Sequence, residues 1–502
     1  MPKPNFLFIM IESWDGRVQG YLGNPALKDA TPNINKLAKR GTAFTNMYTT
    51  HPICCPARAN FWSGQYTFNC KSWNNHKGLE RGTPIMKDVL ERAGYVFASK
   101  AGGIGKHDYW SGGHSNQNRI TAWTGCADIR LPSYLQQVPL IEGNRKKKYN
   151  ERDWMDVQFA KYFLEEQVEK FEDPSQKDDP FFLYLSLRTP HPRFKTTKYW
   201  LDKIDMNEVT VPPKDKKVHP VIEYQLIQKA WRWGVDPESV KHTRAIYYAM
   251  VAETDAMIGE VIDELDRLGL SDNTFIFVTG DHGENNMEHD LFYKMNMYES
   301  SAKVPLIVAG PNVQKDVILD NFVTMVDFYP TILDMAGLNP SDAPNPLDGQ
   351  SIVPILEGKT TESRDYALSI YTGTAANTSM WMLREGPWKY IAYPGYEPQL
   401  FNLDEDPDEI NDLTQERKDV VERMDKKLRK IVDYEAAHDE WQAYCRKSFR
   451  EYAERVKKEP IPLFEYGAKL KKAYYDDIIA NTYKGWTEEH EKQLQAWLNS
   501  EK

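Results

Sequence analysis

Three stretches of this 502-residue chain set chemically capable side chains at the ends of apolar runs. Glu12 directly follows NFLFIMI (5–11), and Asp281-His282 directly follow NTFIFVTG (273–280). The third stretch is HPICCPARANFWSGQ (51–65), where Cys54 and Cys55 stand ahead of Pro56 and Arg58. Carboxylates and an imidazole drawn together from distant positions have the composition of a divalent cation site. A strand-end acid also commonly caps the next turn, so two of them at equivalent ends count for more than one. Asp15, three residues after Glu12, is a fallback ligand but reads chiefly as a turn cap. A helix beginning at Cys54, with Pro56 in its first turn and Arg58 one turn in, favours an anionic ligand. A disulfide between adjacent cysteines is strained. The five cysteines (54, 55, 70, 126 and 445) also show no repeating spacing, so a disulfide framework is not expected. One of the pair must serve another purpose.

These groups need a scaffold that brings strand ends together. NFLFIMI, PFFLYLSL (180–187), NTFIFVTG and VPLIVAG (304–310) are bare apolar runs, the pattern of strands buried on both faces. TPNINKLAKRG predicts a helix started by Thr31 and stopped at Gly41, and residues 242–270 predict a long amphipathic helix ending at a glycine. Strands alternating with helices imply a parallel sheet covered on both sides, with ligands beyond the carboxyl ends of the strands. After about residue 365 the texture changes: 379–393 and 398–403 predict antiparallel strands, and 412–502 is charged and helical. The expected organisation is a catalytic α/β domain over 1–365. A C-terminal subdomain with a small antiparallel sheet and a helical tail follows over 366–502.

Composition narrows the function classes. A 41% hydrophobic and 12% aromatic content describes a folded chain. A net charge of −10 argues against nucleic-acid binding by the whole surface, while leaving room for a locally basic pocket. No apolar run reaches the length of a membrane span. The first apolar stretch is too short for a signal peptide, so the expected location is cytoplasmic, or periplasmic or secreted if an export signal precedes this sequence.

Cys54-Cys55-Pro56-Ala57-Arg58, followed by Ser63-Gly64, resembles the signature of the type I sulfatase family. DHGENNMEHDLFYKMNMYESSAKVPL (281–306) is similar to the family's second block, and WKYIAY (388–393) with QLFNLDEDPDE (399–409) to its C-terminal subdomain. The resemblance implies an alkaline-phosphatase/sulfatase-like fold, with a large, mostly parallel sheet sandwiched by helices and a smaller α+β subdomain. It implies that Cys54 is oxidised by a dedicated maturation enzyme to formylglycine, Cys55 being only the variable position. The hydrated aldehyde would attack sulfur, and its second hydroxyl would allow sulfate to leave by C–O cleavage.

By the same resemblance Ca²⁺, with Mg²⁺ or Mn²⁺ as alternatives, is held by Glu12, Cys54, Asp281 and His282. Arg58 orients the hydrate, Lys106 contacts hydrate and sulfate, and Lys294 binds sulfate. His191, His219 and His289 are the remaining catalytic candidates, with His219 expected at the substrate and His289 as acid for the leaving alcohol. Two departures stand out: Glu12 replaces the usual aspartate, and Asp108 in GKHDY (105–109) replaces the usual histidine, with His107 a possible substitute base. The stretches ESWDGR (12–17), SWNN (72–75), GKHDY, ERDW (151–154), HPV (219–221) and MEHDLFYKMNMYE (287–299) resemble the branch acting on 2-sulfated glucuronate. They imply a terminal 2-sulfated uronic acid of a glycosaminoglycan fragment as substrate. Its carboxylate needs a cation, and Lys77, His114, Arg188, Arg193 and Lys195 are available. Trp441, Trp486 and Trp497 could stack on sugar but read chiefly as packing. The alternatives are a phosphonate monoester or phosphodiester hydrolase of the same superfamily and a non-catalytic glycan-binding protein.

Overall fold

The apolar runs become neighbours in one sheet. A computed structural model describes residues 3–111, 147–171, 179–228, 231, 232, 234–373, 375–458 and 488–500. Strands β1 (Asn5–Ile11), β2 (Thr42–Tyr48), β3 (Val96–Phe97), β4 (Ile104–Gly105), β5 (Phe181–Leu187), β6 (Thr274–Gly280), β7 (Leu306–Ala309) and β8 (Val317–Thr324) are ordered β3-β5-β1-β6-β7-β2-β8, with β4 paired to β5. All pairs are parallel except those of β7, which runs antiparallel to both β6 and β2. VPLIVAG therefore departs from the parallel expectation. The chain between β6 and β7 forms only short turns of helix at the sheet edge. Without a crossover helix the next strand must run back the way the last one came.

Residues on β1 alternate between two cores. Leu7, Ile9 and Ile11 join one, and Phe6, Phe8 and Met10 the other, so both faces are covered. The covering helices include α1 (Pro32–Arg40), α2 (Cys54–Ser63), α3 (Glu151–Phe171) and α4 (Pro237–Arg267). Helix α1 lies between Thr31 and Gly41, as its signals indicate. Helix α4 starts five residues before the expected His242. Its true cap is Asp236, whose side chain accepts from Ser239 N at 2.9 Å, with Pro237 in the first position.

The small sheet contains β9 (Ala367–Tyr371), β10 (Met380–Glu385), β11 (Trp388–Tyr393) and β12 (Tyr396–Asn402), all antiparallel. It is not detached: Tyr371, Met380, Ile391 and Phe401 share the core cluster of Leu7 and Ile9. Helices α5 (Lys418–Ile431) and α6 (Tyr434–Lys458) follow. Trp441 is buried with Trp73, and Trp497 packs against them; Trp486, His114 and Cys126 lie outside the described residues. Among the described residues no helix is long and apolar enough to cross a membrane.

The register aligns the site. Ile11 pairs with Leu187 on one side and with Gly280 on the other. Glu12 and Asp281, each one residue further on, consequently leave the sheet side by side. Glu12 N donates to Leu187 O, and Asp281 N to Ile11 O, both at 3.0 Å.

Candidate active site

Glu12, Cys54, Asp281 and His282 each present one ligand atom, and these atoms lie within 4.8 Å of one another. Cys54 Sγ is 3.1 Å from Glu12 Oε1 and 3.3 Å from His282 Nε2. His282 Nδ1 donates to Gly283 O at 3.0 Å, which leaves the Nε2 lone pair turned to the cluster. Gly283 is required there, because a Cβ would lie 2.0 Å from Ser300 O. Asp281 Oδ1 accepts from the backbone N–H groups of Ser13 and His282 at 3.2 and 2.9 Å. Cys54 opens α2, with Ile53 as its cap, and all ten α2 residues are buried. Cys55 faces elsewhere: a Cβ on Gly78 would lie 2.7 Å from its Sγ, and its N–H donates to Asn75.

Arg58 is the hub behind the cluster. It is fully buried, with Nε and Nη2 at 3.0 and 2.8 Å from Asp281 Oδ2. Its Nη1 donates to Lys106 O, Tyr184 OH and Ser186 Oγ at 3.1, 3.2 and 2.5 Å. Tyr184 and Ser186 were not anticipated, although they are the two polar side chains on one face of the otherwise apolar β5. Lys106 follows β4, where Gly105 has φ +94° and a Cβ would lie 2.0 Å from Ser186 O. Its ammonium pairs with Glu12 Oε1 and lies 3.3 Å from Asp108 Oδ2. Asp108 Oδ1 is in turn 3.4 Å from Arg58 Nε.

Charge and burial oppose each other here. Burial would raise the Glu12 carboxyl, but the cationic Lys106, Lys294 and Arg58 outweigh it and hold it well below the usual carboxylate range. Burial likewise would raise Asp281, which the Arg58 guanidinium at 2.8 Å holds low. Burial pulls the His282 imidazole down to about 3, so it is neutral. Burial pushes the Cys54 thiol up to about 12 against the pull of Lys106 and Lys294. As an unmodified cysteine it is an S–H, a weak nucleophile and a weak metal ligand. Two buried carboxylates facing a neutral imidazole nitrogen fit a divalent cation. In that site the Cys54 sulfur stands where a formylglycine oxygen would be.

The other candidates divide. His191, on the loop after β5, brings Nε2 to 3.5 Å from Glu12 Oε1, with Nδ1 donating to Pro192 O. Lys294 is buried, and its charge is felt by Cys54, Glu12 and His282. His219 is brought to the β11–β12 hairpin instead, stacked on Tyr393 at 4.4 Å, with Nε2 donating to Glu397 O and Nδ1 accepting from Val221 N. Neither of its ring nitrogens is left for a ligand. His289 stacks on Tyr298 at 3.6 Å and pairs with Asp215 at 2.7 Å. His107 lies 5.7 Å from the Tyr184 ring, and Asp15 accepts from Arg17, capping its own turn.

Residues 4–338 match the family model described as Sulfatase. The chain belongs to the sulfatase family. Residues 287–434 of this sulfatase also match N-sulphoglucosamine sulphohydrolase, C-terminal. It is 35% identical over 530 residues to arylsulfatase K of Bos taurus, covering 99% of this chain and 92% of that relative. To arylsulfatase K of Danio rerio it is 37% identical over 477 residues, covering 90% and 88%. Its fold is shared with the phosphonate monoester hydrolase of Agrobacterium radiobacter (TM-score 0.68, 22% identity, 86% of this chain and 95% of that one). A solved 2-O GAG sulfatase shares it too (TM-score 0.63, 21% identity, 89% and 94%). This sulfatase is a sulfuric ester hydrolase, and the binding-only alternative is set aside.

Proposed function

We propose that this sulfatase removes the 2-O-sulfate of a terminal uronic acid from glycosaminoglycan fragments, after a maturation enzyme has converted Cys54 to formylglycine. The observation that carries the reading is the Cys54 side chain itself, chemically quiet as a thiol yet seated among Glu12, Asp281 and His282 with Arg58 behind it. A formylglycine there supplies a hydroxyl nucleophile, and a bound Ca²⁺, Mg²⁺ or Mn²⁺ withdraws charge from a sulfate oxygen. Glu12, Asp281 and His282 Nε2 would hold the cation. Arg58, fixed by Asp281, Tyr184 and Ser186, orients residue 54. Lys106 and Lys294 bring positive charge to the sulfate as charge develops on it. His191 Nε2, the imidazole nitrogen turned toward Glu12, is assigned proton transfer between residue 54 and the leaving alcohol. His219 and His289 shape the walls through Tyr393 and Tyr298.

The uronate assignment is supported by the sequence blocks shared with the 2-sulfoglucuronate branch and by full-length similarity to arylsulfatase K. For the sugar carboxylate, Arg188 is committed to Asp153 and Asp156, and Lys77 to Glu80. Arg193 and Lys195, on the loop that carries His191, are the better candidates. The test is hydrolysis of a panel by the matured protein: fragments ending in 2-sulfated uronate, fragments ending in 6-sulfated hexosamine, an aryl sulfate and an aryl phosphonate monoester. Turnover of the 2-sulfated uronates above all others is the expected result. Preference for the hexosamine overturns the sugar, and preference for the phosphonate overturns the ester class.

A further inference from the structure

Glu12 Oε1 lies between two places for positive charge. It is 3.1 Å from Cys54 Sγ in the four-residue cluster, and it is also ion-paired to the Lys106 ammonium. A divalent cation entering the cluster would repel an ammonium held on the same carboxylate, which favours moving Lys106 away from it. Lys106 cannot simply retreat into water, because its side chain is only 16% exposed. Its backbone is fixed as well: Lys106 N donates to Ser186 O at 3.2 Å, and Lys106 O accepts from Arg58 at 3.1 Å. Only the side chain can pivot, and a buried ammonium without a partner is costly. Within reach is Asp108, buried, with Oδ2 at 3.3 Å from Lys106 Nζ.

We propose that Asp108 is a positioning residue that takes over Lys106 from Glu12 as the cation enters, so that one lysine serves both the empty and the loaded site. The inference rests on the metal reading above. It also joins the two departures seen in the sequence. The longer arm of Glu12 brings its carboxylate to the lysine, and the carboxylate at 108 supplies the second docking point that a neutral imidazole would not. Without Asp108 the site loses one of its negative charges, which makes it less favourable to a divalent cation.

Calcium titration calorimetry on the matured full chain tests this without reference to turnover. Asp108→Asn should weaken Ca²⁺ binding by about tenfold or more, in the range usual for residues that act on a metal through its ligands. Asp108→Glu, which keeps the charge, should bind as the wild type does. Adding Lys106→Met to Asp108→Asn should restore the affinity, because the competitor for Glu12 is then gone. Lys106→Met alone should bind Ca²⁺ at least as tightly as the wild type, a readout that does not depend on any Asp108 variant folding. Wild-type affinity in Asp108→Asn, a loss that persists in the double variant, or weakened binding in Lys106→Met each overturns the proposal. A wild type that binds none of Ca²⁺, Mg²⁺ or Mn²⁺ overturns the metal reading and this inference together. Inactivity on every sulfate ester, with the calcium pattern intact, overturns the substrate reading alone.

Discussion

Cys54 and Cys55 are consecutive and equally buried, yet their surroundings give them different chemistry. Only the first meets Glu12 and His282, while the second packs toward Gly78. In protein coexpressed with a maturation enzyme, peptide mass spectrometry should show the thiol-to-aldehyde mass loss on residue 54 and an intact thiol on 55. Cys54→Ala should abolish turnover with little change in melting temperature, and an active Cys54→Ala protein would sink the mechanism. A second residue makes a prediction about pH. His51 has Nδ1 3.0 Å from Thr67 Oγ1 and Nε2 3.2 Å from Thr372 N, and burial pulls its imidazole down to about 3. An unfolded histidine takes up its proton near 6.5. The unfolded chain therefore binds more protons than the folded one throughout the window from about pH 6.5 to about pH 3, and stability must fall as pH falls. The loss is at most about 1.4 kcal/mol per pH unit for this one group. Urea unfolding at pH 7, 6 and 5 should show a shallower decline for His51→Asn than for the wild type. Parallel curves would show that His51 is not held neutral.

At the scale of elements, the segment from Asn285 to Met295 is the least regular part of the site and the part that carries Lys294. Asn286, Met287, His289, Asp290, Tyr293 and Met295 all have positive φ between 46° and 86°, and none is glycine. Residues in that region cost free energy and persist only where their surroundings determine them. Here Glu284 Oε1 accepts from Asn286 N and Tyr293 N at 3.3 and 2.5 Å, and Arg244 donates to Asn286 O at 2.9 Å. Glu284→Ala removes the carboxylate that accepts from these two backbone N–H groups, and each lost hydrogen bond to a charged group costs about 1.5–3 kcal/mol. It should also lower kcat/KM on sulfate esters as the loop slackens around Lys294. A Glu284→Ala protein with wild-type kcat/KM would separate that loop from catalysis. Strands β1 and β6 were legible because each is a bare apolar run followed at once by an acid. Other elements were not. β3 and β4 are two residues long and carry no periodicity, and β8 is an edge strand with mixed burial. The destinations of His219 and His289 depend on Tyr393, Asp215 and Tyr298, partners that neither histidine's sequence neighbourhood reveals. Tyr184 and Ser186 were visible only as polar interruptions of PFFLYLSL, and the Arg58 guanidinium gives them their meaning.

The whole molecule is joined by a buried charge network between its two sheets. Lys389 on β11 is fully buried, with Nζ 2.9 Å from Glu299 Oε1 and 2.7 Å from Glu409 Oε1. Glu299 N donates to Glu409 Oε2 at 2.6 Å, and the Tyr48 hydroxyl, at the end of β2, donates to Glu299 Oε2 at 2.9 Å. Burial would raise the Glu299 carboxyl, but Lys389, Lys303 and Arg384 hold it low, so it stays charged at neutral pH. Glu299 lies five residues after Lys294, which ties the small sheet to the Lys294 side of the site. Lys389→Met removes the shared cation and leaves two facing carboxylates in the interior. Breaking a buried pair in this way costs about 3–5 kcal/mol. Denaturant unfolding should show that loss as a lower midpoint for a single transition, since Tyr371, Met380 and Phe401 of the small sheet share a core with Leu7 and Ile9 of the large one. Adding Glu409→Gln removes one of the stranded charges and should recover part of the stability. Two separate transitions in the wild type would instead make the small sheet an independent unit, and the network a surface between units rather than part of one core.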